Sequence, residues 1–397
     1  MKATDLEQQL LQEVTANTLR FWQRQNIDTN ENDVAMLLRR NDDMRKAISR
    51  GLQNPELWEE TVQTLLHLFR YIERLHLNYE WVGWLQKSVD IAPIQDNALF
   101  CRLLCRLGQL IGYQNTQQSL HDAVQIHQQA LALAEKLADP GLIGLACYQL
   151  ATDMYRLQRA AEALPLAEKS RQQFTQAEAS PQELASVLSL RGLLALDLQE
   201  PEQSEAYFVQ ALTIQQNRGD SLIEQARIYI NWGYALSAMA QREEAIEKYR
   251  LAEQLLMVTG DLYDLYLCRI NLAAIYYWQA NYEAATDLFQ SIDTNYLRER
   301  SHLWLLAMTA HGLGDTALAD GRPMEGLPYL NEAVRFWQEQ DNKLRLAYSL
   351  ATRFGVYRKL GWADQAEKDR LESLALISTN PDHIIAAQVR DALKRYQ

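Results

Sequence analysis

Few residues in this 397-residue chain stand at spacings that could do chemistry. His121 and His127 are the first pair to weigh as metal ligands, but six positions along a helix carry the second ring off the face of the first. Cys101 and Cys105 lie one helical turn apart with no second ligand pair nearby. With Cys147 and Cys268 they read as buried thiols in a reducing compartment. His311 and Asp315 are also one turn apart and share a helix face, either as a capped or solvated pair or as a polar contact for a ligand on that face. The many Asp and Glu side chains read as a solvated surface. No HExxH, GxSxG, paired CxxC, GxGxxG or GxxxxGK[ST] occurs. The nearest Gly-rich text, HGLGDTALADGRP, is what two closely packed helices need. The chain is therefore expected to hold no cofactor and no metal, to be no enzyme, and to act through a surface.

Composition narrows which surface. Leu, Ala, Gln and Glu dominate, with only 16 Gly and 9 Pro, and these residues lose little rotamer freedom in a helical turn. A net charge of −12 opposes nucleic-acid binding, which needs clustered Lys and Arg to displace phosphate counterions. No apolar run approaches the roughly 20 residues that span a bilayer. The opening MKATDLEQQLLQEV lacks the apolar core and basic flank of a secretory signal. The expectation is a cytoplasmic all-α protein with no membrane partner.

The elements that must carry the surface are visible as a repeat. Small residues recur at Ala123, Ala163, Ser204, Ala245, Ala285, Gly326 and Ala366, about 40 residues apart, within the period range of stacked helical hairpins. About a dozen residues upstream of each stands a second small or tightly packed position: Gly108, Ala151, Gly192, Gly233, Ala273, Gly314 and, less well, Phe354. Two antiparallel helices approach closely only where facing side chains are small, so one such site per helix fixes a crossing point. Turn signals separate the hairpins at Asp139-Pro140, Ser180-Pro181, Gly219-Asp220, Gly260-Asp261 and Asp341-Asn342.

Segments such as INWGYALSAMAQREEAIEKYRLAEQLL and INLAAIYYWQANYEAATDLFQSI resemble tetratricopeptide repeats of the longer kind found in kinesin-light-chain-like and bacterial regulatory proteins. The resemblance implies a right-handed superhelical solenoid of seven or eight hairpins. The chain divides on this reading into an N-terminal helical region, 1–55; a degenerate hairpin, 56–96; seven repeats, 97–378; and a capping helix, 379–397. Arg191, Arg353 and Arg370 stand where the family places apolar or aromatic residues, so repeats three and seven are expected to pack irregularly. Trp232 and Trp304 are assigned to the core. The segment NDVAMLLRRNDDMRKAISRGLQNPE, through Leu38, Asn41, Met44, Arg45, Ala47 and Ile48, with Trp81, Trp84 and Leu85 beyond it, is similar to the helical sensor region of STAND-class signalling NTPases. That likeness implies a sensor array; without a phosphate loop it carries no NTPase activity.

In such a solenoid the first helices line the concave wall, so their exposed side chains form the groove. Arg227, Asn231 and Tyr234 fall at spacings that share one face, and Asn271 matches Asn231 in the next repeat. Members with the longer repeat use Asn there to bond a peptide backbone; an interhelical bond within the scaffold is the equal alternative. Arg102, Arg106, Gln149, Tyr155, Tyr277, His311, Asp315 and Arg358 complete the groove candidates. Arginines on that wall would draw acidic peptides. The resulting expectation is a non-catalytic adaptor or sensor that binds a protein or peptide in a regulatory or signalling complex. The alternatives are a peptide-sensing regulator of a partner enzyme or transcription factor, and a self-associating structural solenoid with an exposed aromatic patch near Trp81 and Trp84. The layout, an N-terminal helical region followed by about seven repeats, also resembles bacterial peptide-sensing regulators.

Overall fold

The computed structural model describes residues 3–25, 40–69, 78–93, 95–114, 116–217, 222–378, 381 and 383–396. Leu38, the Gly219-Asp220 turn and Asp382 lie outside the described residues. Among the described residues there are twenty α-helices and no strand. The chain forms two compact units, Met1–Ala235 with Val258–Asp261, and Leu236–Met257 with Leu262–Gln397.

The first unit opens with α1 (Ala3–Arg24), α2 (Asn41–Gly51), α3 (Trp58–His67) and α4 (Asn78–Asp90). Three hairpins follow: α5 (Ala98–Gly112) with α6 (Gln117–Leu137), α7 (Pro140–Arg156) with α8 (Ala160–Gln176), and α9 (Pro181–Asp197) with α10 (Pro201–Gln216). Most of α11 (Leu222–Ala238) belongs here too. The second unit holds most of α12 (Arg242–Thr259), then α13 (Leu262–Trp278) with α14 (Tyr282–Gln290) and the short α15 (Thr294–Glu299). Next come α16 (Leu303–Ala319) with α17 (Pro323–Glu339), α18 (Lys343–Leu360) with α19 (Ala363–Ile377), and α20 (Ile384–Arg395). Within each unit first helices also touch first helices, α5 against α7, α7 against α9, α13 against α16 and α16 against α18.

The turn residues work as their chemistry dictates. Asp139 and Ser180 cap helices whose first residue is proline, their side chains accepting from Leu142 N and Glu183 N; such caps contribute about 1 kcal/mol each. Asn342 accepts from Arg345 N in the same way. Gly260, Gly321 and Gly361 take positive φ at helix ends, where a side chain would be strained.

The small positions are the crossing points. Ser204 donates its hydroxyl to the Gly192 carbonyl at 2.7 Å, and the Phe208 ring covers Gly192. At Gly326 an added Cβ would sit 2.7 Å from the Gly314 carbonyl oxygen, with backbone on the opposing side. Gly326→Val is therefore expected to destabilise the second unit by about 1–3 kcal/mol, read by urea unfolding. Unfolding at the wild-type midpoint would mean that α16 and α17 do not need backbone contact there.

Four expectations are corrected. Arg191 and Arg353 do not disturb their repeats. Arg191 pairs with Glu168, donates to the Tyr207 hydroxyl at 2.5 Å and lies over that ring. Arg353 grips both oxygens of buried Asp369 at 2.7 and 2.8 Å, and Arg370 pairs with Glu367 on the surface. Each guanidinium keeps its charge compensated, so the hairpins pack regularly. The irregular repeat is instead the fifth, whose second helix stops at Gln290; Asp293 then caps α15 by accepting from Asn295 N and Tyr296 N. The aromatic patch is not exposed either, because Trp81 is 1% accessible and packs edge-on against half-buried Trp84 at 5.1 Å. Finally, Trp232 is a core residue stacked on Phe208, but Trp304 is only half-buried. The helix α20 packs on α18 and α19 through Ala386, Val389, Ala392 and Leu393.

Candidate peptide-binding faces

On the first unit, α5, α7, α9 and α11 present the candidate side chains in separate small networks. Arg102 is exposed. Arg106 stacks over the Phe69 ring at 4.5 Å and donates to Gln109 Oε1 at 2.7 Å. Gln149 donates to the same oxygen at 3.2 Å, so both are tied into the scaffold. Asn231 donates from Nδ2 to Ser189 Oγ at 3.1 Å, bridging neighbouring first helices. That interhelical bond uses one amide donor and leaves the carbonyl oxygen and a second N–H. Arg227 stands 4.0 Å from buried Asp261. Tyr234 is 48% exposed, beside half-buried Tyr155, whose hydroxyl burial pushes well above its ordinary range.

The sequence reading missed the strongest polar feature of this unit. His127, fully buried on α6, has Nδ1 2.5 Å from Asp153 Oδ2 on α7 and Nε2 3.1 Å from the Cys105 carbonyl oxygen on α5. His127 is six residues from His121, but it points inward to a carboxylate 26 residues away. Among the described residues no group of three His, Cys, Asp or Glu is placed to hold a metal ion, and no helix is long and apolar enough to cross a membrane.

On the second unit the candidates converge more closely. Asn271 is half-buried on α13, and the next turns of that helix bring Tyr277 to Asp315 on α16. The Tyr277 hydroxyl and the nearby Arg395 favour the charged form of Asp315, yet burial outweighs both and holds the carboxyl up at about 6. His311, one turn earlier, turns away from that carboxylate into the core. Its Nδ1 lies 2.9 Å from Ser349 Oγ, which also accepts from Trp337 Nε1 at 3.1 Å. Burial brings the imidazole down to about 3, so it is neutral. Tyr348 on α18 lies against the His311 ring at 4.8 Å. Arg358 is exposed and donates to the Tyr396 carbonyl oxygen at 3.3 Å. Tyr348, Arg395 and Tyr396 join this cluster without having been singled out, because their partners are distant in sequence; Arg395 meets Tyr277 118 residues away.

A family model described as tetratricopeptide repeat matches residues 267–291, the hairpin of α13 and α14. No curated protein matches in sequence. Among solved structures, a Rap protein complexed with competence and sporulation factor superposes with a TM-score of 0.61 at 14% identity, over 95% of this chain and 99% of that one. Aspartyl phosphate phosphatase F from Bacillus subtilis gives 0.55 at 15%, over 94% and 95%. A STAND protein with a tetratricopeptide repeat sensor from Pyrococcus horikoshii gives 0.56 at 15%, over 82% of this chain but only 49% of that one, about half its length. At these identities the likeness is one of fold. The chain is a helical solenoid of tetratricopeptide type, with the repeat of that family at residues 267–291.

Proposed function

We propose that this chain is a non-catalytic protein- or peptide-binding scaffold, an adaptor or sensor in a regulatory complex, with the bound segment lying on the first-helix faces. The observation that carries this reading is that polar or aromatic groups are left partly or fully accessible on first helices of each unit, Tyr234 on the first and Asn271, Tyr277, Asp315 and Arg358 on the second. Side chains of that kind supply both contact area and hydrogen-bond specificity. The Rap protein among the structural neighbours is itself complexed with a competence and sporulation factor, which agrees with such a role. An acidic partner would be met by Arg102, since Arg106, Arg227 and Arg358 are engaged within the scaffold. A cytoplasmic setting goes with this role.

The test is affinity capture from native lysate with wild type and with an Arg227→Ala, Asn231→Ala, Asn271→Ala variant that keeps its circular dichroism spectrum. A protein retained by wild type and lost by the variant supports the first-helix faces. Identical capture by both would move the site elsewhere; α1, which exposes Leu10, Leu11, Val14 and Phe21, would then make self-association the better account.

A further inference from the structure

Tyr277, Asp315 and Tyr348 stand on three successive first helices of the second unit, α13, α16 and α18, and all three interact electrostatically with Arg395 and Tyr396. A carboxylate flanked by tyrosine rings is the chemistry that recognises a guanidinium: ionic hydrogen bonds to the oxygens, ring faces for the flat cation. Here that recognition is incomplete. Among the described residues Asp315 forms no ion pair, and the Tyr277 hydroxyl beside it only favours its charged form. Arg395 approaches without pairing with the carboxylate: its Nη1 lies 3.4 Å from the Tyr277 hydroxyl oxygen, it also interacts with Tyr396, and its side chain remains exposed.

The segment carrying Arg395 lies just beyond the buried anchors Ala392 and Leu393 of α20. Its carbonyl at Tyr396 accepts from Arg358 at a long 3.3 Å, and the Tyr396 ring rests on Gly355, where an added Cβ would sit 2.5 Å away. We propose that Asp315, Tyr277 and Tyr348 form a subsite for an arginine side chain of a bound peptide, and that Arg395 occupies its mouth until such a peptide displaces it. This deepens the peptide-binding reading and rests on it. The other titratable and charged groups facing the subsite do not compete for the carboxylate. His311, on the same helix, is neutral and turned to Ser349; Arg345 on α18 acts on Tyr348 and His311; Tyr396 and Tyr277 are neutral phenols raised by burial. Above about pH 6 the carboxylate is charged and lacks a direct cation, which is what an incoming arginine supplies.

The test uses a fluorescein-labelled peptide of residues 391–397, DALKRYQ, and the same peptide with its arginine replaced by alanine, followed by anisotropy at pH 7.5. The proteins are the full chain, a chain ending at Leu393, the full chain with Gly355→Ala, which evicts the Tyr396 ring without touching the subsite, and each of the opened forms with Asp315→Asn. Both opened forms are expected to bind the parent peptide at least tenfold more tightly than the full chain. Both should lose at least tenfold with the alanine peptide or with Asp315→Asn. Equal affinity for open and full chains would overturn the displacement. Indifference to the arginine or to Asp315, or no binding to either folded open form, would overturn the subsite. Such a failure with partner capture still lost in the Arg227, Asn231, Asn271 variant would leave the scaffold reading standing; capture unchanged in that variant would instead remove the reading itself.

Discussion

Replacing His127 with alanine is expected to cost the first unit about 3–5 kcal/mol, the loss typical when one member of a buried, hydrogen-bonded pair is deleted. The ring has no exposed surface and Asp153 is 2% exposed. A backbone carbonyl only accepts, so Nε2 opposite the Cys105 oxygen donates, while Nδ1 meets a carboxylate at 2.5 Å. The imidazole thus ties α5, α6 and α7 with both nitrogens satisfied, and alanine leaves a buried carboxylate, an unmet carbonyl and a cavity together. The space is also set by Gly108, whose Cβ, if present, would lie 2.4 Å from Nε2. Asp153→Leu alone should cost as much, but His127→Leu with Asp153→Leu should lose far less than the sum, because two apolar groups leave no polar group stranded. Urea unfolding of the four proteins reads the coupling. A His127→Ala chain within about 0.5 kcal/mol of wild type, or an additive double variant, would show that the pair is not what joins the first two hairpins.

That pair marks where the sequence stops being informative. The repeat was legible because backbone packing demands small residues at fixed intervals, and Gly192, Ser204, Gly314 and Gly326 do meet at helix crossings. Caps were legible at Asp139 and Ser180 because they act within three residues of themselves. Side-chain partnerships across repeats follow no such local rule. Asn231 finds Ser189 42 residues back, and His311 finds Ser349 38 residues ahead. Arg191 and Arg353 looked like faults against the family pattern, yet each brought its own acid, Glu168 or Asp369, from a neighbouring helix. The break in the fifth repeat had a signal, the SIDTN text around Asp293, that competes with helix continuation by offering a new cap.

The candidate side chains show the same division. Helical spacing placed His311 and Asp315 on one face, but four residues are a little more than one turn, and the difference sends the imidazole into the core and leaves the carboxyl half-accessible. Neither is a solvated surface group. Burial lowers the histidine to about 3 and raises the aspartate to about 6, opposite shifts from the same cause, because each environment disfavours the charged form.

Asp315→Asn is therefore expected to stabilise the second unit, and only above mildly acidic pH. The folded chain holds the Asp315 carboxyl near 6 against an ordinary 3.8, so this group binds its proton more tightly folded than unfolded. Its contribution is most favourable below the unfolded value, declines as pH rises from about 4 to about 6, and is flat beyond. Asparagine never ionises, so the variant and wild type should melt together near pH 4 and diverge by on the order of 2 kcal/mol at pH 8, allowing for water reaching a half-buried group. Thermal unfolding at the two pH values checks this; a variant less stable than wild type at pH 8 would mean that Arg395 and the Tyr277 hydroxyl already offset the burial of the charge. Tyr277→Phe should act in the opposite direction, removing the hydroxyl that favours the charged carboxylate and lowering stability above pH 6 while leaving pH 4 nearly unchanged.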